Sequence, residues 1–201
     1  MKILKILCFM LIATTAFATS ALNFYTEVMR PTEKSYPDGN SWGIGVEYGF
    51  MITEHFSLGP KLNFSWNLEK TKTANPDDTK TNVVTSKQRV IMLPISMFFA
   101  VDPIPQFMIH PVIHAQVGYN SVFVSNVNYN NKDRSGKYDG YYNGVYTKFG
   151  ADCMVDIGKT ISLFIGPQWQ ISTTERRKKD TLPIESKFHG FGVRFGVSIL
   201  L

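Results

Sequence analysis

The sequence predicts an all-β protein, an eight-stranded antiparallel up-and-down barrel with its apolar face turned outward. Three observations carry that prediction. The closing stretch 188–201, FHGFGVRFGVSILL, alternates at period two: Phe191, Val193, Phe195, Val197, Ile199 and Leu201 are apolar, while Gly190, Gly192, Arg194, Gly196 and Ser198 are small or polar. Successive side chains of a strand point to opposite faces, so this is a strand's period, and a helix would scatter the same residues all round. The connections between the apolar-alternating segments run long, short, long, short, long, short, long. Finally, the chain has no helical pattern of useful length and no run of about 18 apolar residues that would make a transmembrane helix.

The composition of the polar face decides which side meets the outside. A soluble surface carries Lys, Glu and Thr, whereas the small face of 188–201 is glycine and serine with one arginine, which suits a narrow, crowded interior. The apolar face is then left for lipid, and the fold class becomes a transmembrane β-barrel. Here the residues carry a resemblance. Arg194-x-Gly196-x-x-Ile199-x-Leu201 resembles the C-terminal assembly signal of bacterial outer-membrane barrels, with aliphatic residues at the end where that signal has aromatic ones.

The start of the chain has the build of a secretory signal. Lys2 and Lys5 precede an apolar run over 6–13, and Ala16-Phe17-Ala18 offers a cleavage site, with Ala21 as the alternative end. Residues 1–18 are therefore set apart as a signal peptide and 19–201 as the barrel domain. Cys8 falls in the signal, leaving Cys153 alone, so no intramolecular disulfide is expected. The formal charge of +5 becomes +3 without Lys2 and Lys5, too mild for a nucleic-acid partner.

The first strand, 22–29, sets Phe24, Thr26 and Val28 against Asn23, Tyr25 and Glu27. The second, 41–51, alternates Trp42, Ile44, Val46, Tyr48 and Phe50 with Ser41, three glycines and Glu47; the third, 56–68, alternates Phe56, Leu58, Leu62, Phe64 and Trp66 with Ser57, Gly59, Lys61, Asn63 and Ser65. A hydrophilic stretch, 69–87, reads as a long loop. Strand four, 88–101, turns Ile91, Leu93, Ile95, Met97 and Phe99 outward and ends at the tight turn Asp102-Pro103-Ile104-Pro105. Strand five, 107–124, has His110, His114, Gln116, Gly118 and Asn120 on its polar face, and a second long loop spans 125–142. Strands six, 143–156, and seven, 161–173, repeat the pattern, and a basic loop leads to the closing strand.

An up-and-down meander with these connections gathers every long loop at one end and every short turn at the other. Gly59-Pro60-Lys61-Leu62 is echoed by Gly166-Pro167-Gln168-Trp169, each just after a short turn. Pro60, Pro94, Pro111 and Pro167 fall inside strands and lack the ladder donor, so bulges or strand ends are expected there. Over nearly all of 19–201 the chain resembles the small eight-stranded outer-membrane barrels of the OmpA/OmpX type. The resemblance implies a bacterial outer-membrane location, a monomer, contact with outer-membrane lipid and lipopolysaccharide, and handling by the barrel-assembly machinery during biogenesis. It implies a non-enzymatic role, in envelope structure or in surface interaction through the loops.

Two sets of residues are candidates for a site. The inward-facing Glu27, Glu47, Lys61, Lys148, Asp152 and Arg194, with His110 and His114, form an interior polar network, because charges enclosed in a narrow barrel are costly unless paired. His110 and His114 lie four strand residues apart, roughly 13 Å, and do not share a metal ion. Arg176, Arg177, Lys178 and Lys179 offer contact with lipopolysaccharide phosphates. No catalytic set, metal or cofactor is assigned. Two other functions stay open at this level: a lipid-modifying enzyme combining a histidine, Asp152 and a serine, and a soluble lipocalin-like barrel, which would have an apolar interior.

Overall fold

The computed structural model describes residues 19–32, 40–75, 78–128, 140–176 and 184–201. They form one closed antiparallel sheet and, among the described residues, no helix. In chain order the strands are β1 (Ser20–Pro31), β2 (Ser41–Thr53), β3 (Phe56–Asn75), β4 (Asp78–Val101), β5 (Ile109–Asn128), β6 (Gly140–Asp156), β7 (Ile161–Arg176), β8 (Ile184–Lys187) and β9 (Gly190–Leu200). Each pairs with the next as far as β7; β8 and β9 follow one another along β7, and β9 closes the sheet on β1. Nine strands therefore make eight staves, the last interrupted at Phe188–His189. Closure leaves no barrel edge, and Leu201 N donates to Ser20 O at 2.7 Å across the seam. Residues 1–18 lie outside the described residues.

Alternation is what sorts the side chains. Ile44, Ile95, Ile113, Val145, Ile165 and Phe195 are among the residues exposed on the outer face, while Glu27, Lys148 and Gln116 between them are buried. The exterior is a belt of apolar side chains, with Trp42 opposite Trp66 and Trp169 opposite Phe191 towards the long-loop end.

Three of the strand prolines correct the expectation of bulges. The β2–β3 ladder drops out between Glu47↔Lys61 and Phe50↔Leu58, which brackets Pro60, and resumes in the same register. The same happens at Pro94 between Leu62↔Ile95 and Ser65↔Met92, and at Pro167 between Gly150↔Gln168 and Cys153↔Ile165. On its other side each proline stays paired, with Met97, Asn120 and Val193 respectively. A strand residue's N–H serves only one neighbour, so proline forfeits one bond. A one-residue slip would turn every later side chain to the wrong face, which costs far more. Pro111 does sit near a strand end, paired with Cys153 two residues before β4–β5 pairing begins at Ile113↔Val101.

Both glycines of the Gly-Pro repeat sit where two strands approach closely. A Cβ on Gly59 would meet the carbonyl of Tyr48, and one on Gly166 the carbonyl of Ala151, the residues that face Pro60 and Pro167 in register. At both positions the neighbouring strand runs so close that only glycine leaves room for it, as it does at Gly118, Gly144, Gly192 and Gly196 where the ladder is unbroken.

The stretch 69–87 is also corrected. It is not a loop: Glu69 pairs with Gln88, Lys70 with Lys87, and pairing continues with two register shifts to Asn75↔Asp78. Threonine and valine dominate its β4 side, and these β-branched residues favour strands whatever their polarity. Hydrophilicity marked a strand pair that has left the membrane. Strand also extends into the predicted loop 125–142, over 125–128 and 140–142.

Candidate functional site

The interior is built in layers that can be followed along β5, whose even positions point inward. At the short-turn mouth, His110 and Val112 border a cavity of about 260 Å³ walled by Phe98, Phe164 and Met154. His110 does not join the central network predicted for it. Its Nδ1 lies 2.6 Å from Asp102 and its Nε2 3.6 Å from Asp156, both at the mouth, because β5 enters the barrel beside the residue that follows β4 and the last residue of β6.

The next layer holds the charges. Arg194 on β9 donates from Nε to both oxygens of Asp152 at 3.1 Å and from Nη2 to Oδ2 at 2.5 Å, and its Nη1 reaches Glu47 Oε1 at 2.5 Å. Glu47 also accepts from Lys61 and, at 3.1 Å, from Asn23. His114 Nε2 stands 3.6 Å from Asp152. A second group centres on Glu27, which accepts from Lys148 at 2.7 and 3.0 Å and from Asn63 and Gln168 at 2.7 Å each. Three carboxylates thus meet three cations with no net charge, as burial demands. Lys61 Nζ lies 4.2 Å from the centroid of the Tyr25 ring, and the Arg194 guanidinium 5.1 Å from that of Phe164, so aromatic faces cover the cations where no carboxylate does.

Above the charges comes a band of amides and hydroxyls. Asn120 donates to Ser172 Oγ at 3.1 Å, and Gln170 to the carbonyl of Phe188 at 3.0 Å. The last layer is an apolar cap of Val90, Met92, Val122, Val124, Tyr142 and Phe188, with the two rings edge to face at 6.0 Å. Sequence reading missed this cap. Its signal was present, because Val122 and Val124 flank Phe123 and make β5 apolar on both faces near its end.

Charge pairs inside and apolar side chains outside are the reverse of a soluble lipocalin-like barrel. Ile95, 62% exposed, and Phe195, 50% exposed, have the hydrocarbon of a bilayer as their natural cover. The crystal structure of Neisserial surface protein A superposes with a TM-score of 0.54 at 10% identity, covering 90% of this chain and 97% of that one. The fold is that of the small eight-stranded outer-membrane β-barrels. The outer membrane protein OprG from Pseudomonas aeruginosa superposes over 92% of this chain and 96% of that one, with a TM-score of 0.50 at 7% identity. No family model matches the sequence, and no curated protein matches it. An apolar belt round a charged interior is the arrangement of a membrane-spanning barrel, with its short turns at one end and its long connections at the other.

Of the basic run, Arg176 ends β7, and Arg177, Lys178 and Lys179 lie outside the described residues. Among the described residues, no group of histidines, cysteines and carboxylates is placed to hold a metal ion.

Proposed function

We propose that this chain is a non-enzymatic outer-membrane barrel, closed to traffic, that serves the envelope at its long-loop end, as a structural element or in surface interaction. The sealed lumen carries this reading. An eight-stranded barrel is just wide enough for its own side chains, and here a neutral layer of ion pairs is followed by a capped apolar end. The three membrane-related partners follow from the same reading: outer-membrane lipid around the belt, lipopolysaccharide phosphates near Arg176–Lys179, and the assembly machinery acting on the closing strand. The geometry of the polar groups favours a non-catalytic role. Ser162 Oγ donates to Asp156 at 2.5 Å, and His110 lies 3.6 Å from the same carboxylate oxygen. In this trio the serine is turned to the acid and not to the imidazole, so Ser162 lacks the contact that activates a serine nucleophile.

Single-channel recording from purified monomers in planar bilayers tests the proposal. No large, persistent conductance is expected, and brief flickers fit rearranging ion pairs. Stable porin-sized channels would overturn it.

A further inference from the structure

The cavity of about 260 Å³ at the short-turn mouth is itself built in tiers. It exists because inward positions there are small: Ala21, Gly49, Ala100 and Ser198 leave room that larger side chains would fill. Its floor is the layer of Glu47, Asp152 and Arg194, whose charges already pair with one another. Its middle is apolar, with Phe98, Val112 and Phe164 buried and Met154 packed beside them. Its rim carries the carboxylates Glu54, Asp102 and Asp156 and a single lysine, Lys159.

One side chain at the rim has bonds left to make. His110 is 5% exposed, and neither of its ring nitrogens completes a hydrogen bond among the described residues. Nδ1 lies 2.6 Å from Asp102 Oδ2 and Nε2 3.6 Å from Asp156 Oδ1, so the ring stands between two acceptors. A neutral imidazole has one N–H to offer them. With that proton turned to Asp102, the nearer carboxylate, Nε2 presents a lone pair to Asp156, and a buried acceptor in that state is costly. Two acceptors 3.6 Å apart can both be reached from one donor atom seated at the apex between them. Water could sit there, but the charge of the rim favours a cation. Three carboxylates face one lysine and stay in excess even when His110 is protonated. Asp156 is 36% exposed, so a cation bound here stays at the edge of water and is only partly desolvated.

We propose that this chamber binds a primary arylalkylamine, with the ammonium between His110 Nε2 and Asp156 and the aromatic ring among Phe98, Val112, Met154 and Phe164. Size supports one ring: an apolar cavity of roughly 150 Å³ holds benzene, and the larger volume here adds room for a short alkyl arm. A bare inorganic cation would leave the apolar tier without a partner, and an anion would meet the rim carboxylates. The proposal rests on the closed lumen, because the paired floor is what makes the chamber blind, but it concerns binding and not passage.

Isothermal titration calorimetry on the refolded barrel in phosphatidylcholine nanodiscs, with the heat of empty nanodiscs subtracted, tests this. The probes are phenethylamine, its neutral isostere phenethyl alcohol, and methylamine as a cation without the ring. Phenethylamine should bind at least about tenfold more tightly than either of the others, a difference on the order of one charge-assisted contact or one buried ring. Asp156→Asn should weaken phenethylamine by at least about tenfold and change phenethyl alcohol by less than about twofold. Val112→Phe, which fills the apolar tier, should abolish binding of both. Heat-modifiable migration on a gel checks folding, and if Val112→Phe does not fold, Asp156→Asn at its half-exposed rim position carries the test. Equal binding of amine and alcohol, unchanged amine binding by Asp156→Asn, or heat no larger than that of empty nanodiscs would overturn the proposal. Methylamine binding as tightly as phenethylamine would also overturn it, by making the rim a site for small cations. Conductance is recorded separately, so an open lumen and an empty chamber are distinguishable failures.

Discussion

Replacing Lys148 with Met probes the innermost ion pair directly. Lys148 is fully buried, and its ammonium lies 2.7 and 3.0 Å from the two oxygens of Glu27. At 2.7 Å and an effective dielectric of about 20, the gross attraction is roughly 6 kcal/mol, set against several kcal/mol of desolvation for each ion. The net worth of the pair is therefore small, but removing one partner strands the other. Lys148→Met should cost about 3 to 5 kcal/mol, because Glu27 would keep only the amides of Asn63 and Gln168. Glu27→Gln alone should cost a comparable amount, from the stranded ammonium. The double variant should be less destabilised than either single one, since no charge is left unpaired. Reversible urea unfolding in lipid vesicles, followed by the fluorescence of Trp42, Trp66 and Trp169, gives all four free energies. Additive single effects, or single variants within about 1 kcal/mol of wild type, would show that water reaches this layer and that the pair is not a closed unit.

Phe195→Arg puts a charge on the lipid-facing side of β9 and should cost about 2 to 4 kcal/mol near the bilayer midplane, read as loss of the heat-modifiable folded band; normal assembly would contradict a lipid-facing position. Arg194→Ala should destabilise the barrel by on the order of 3 to 5 kcal/mol in the same unfolding assay, because Asp152 loses all three of its bonds to the guanidinium's Nε and Nη2 and keeps only His114 at 3.6 Å. An unchanged midpoint would mean that Asp152 is hydrated. Protease added to intact cells should cut within 129–139 or 177–183 and spare 102–106, as mass spectrometry of the fragments will show. Cleavage only at 102–106 would reverse the orientation.

The alternation of apolar and polar residues was enough to place most barrel strands, their inward and outward faces and the two ends of the barrel. It is a local property, since one residue's direction in a strand dictates the next. Glu27, Glu47, Lys61, Lys148, Asp152 and Arg194 were legible as inward charges for the same reason. Their pairing was not. Which cation meets which carboxylate depends on closure of the sheet and on the stagger between strands, which brings residues as distant as Glu27 and Lys148 together across the lumen. Closure likewise placed His110 at the mouth beside Asp102 and assembled Val90, Val122, Tyr142 and Phe188 into one cap. Polarity alone misled at 69–87, where a strand pair beyond the membrane has no apolar face to announce it. The sequence by itself determined which way each side chain of the barrel wall points, because that follows from a period of two. Only the tertiary structure decided which side chains meet, because a register is a relation between strands and no single strand contains it.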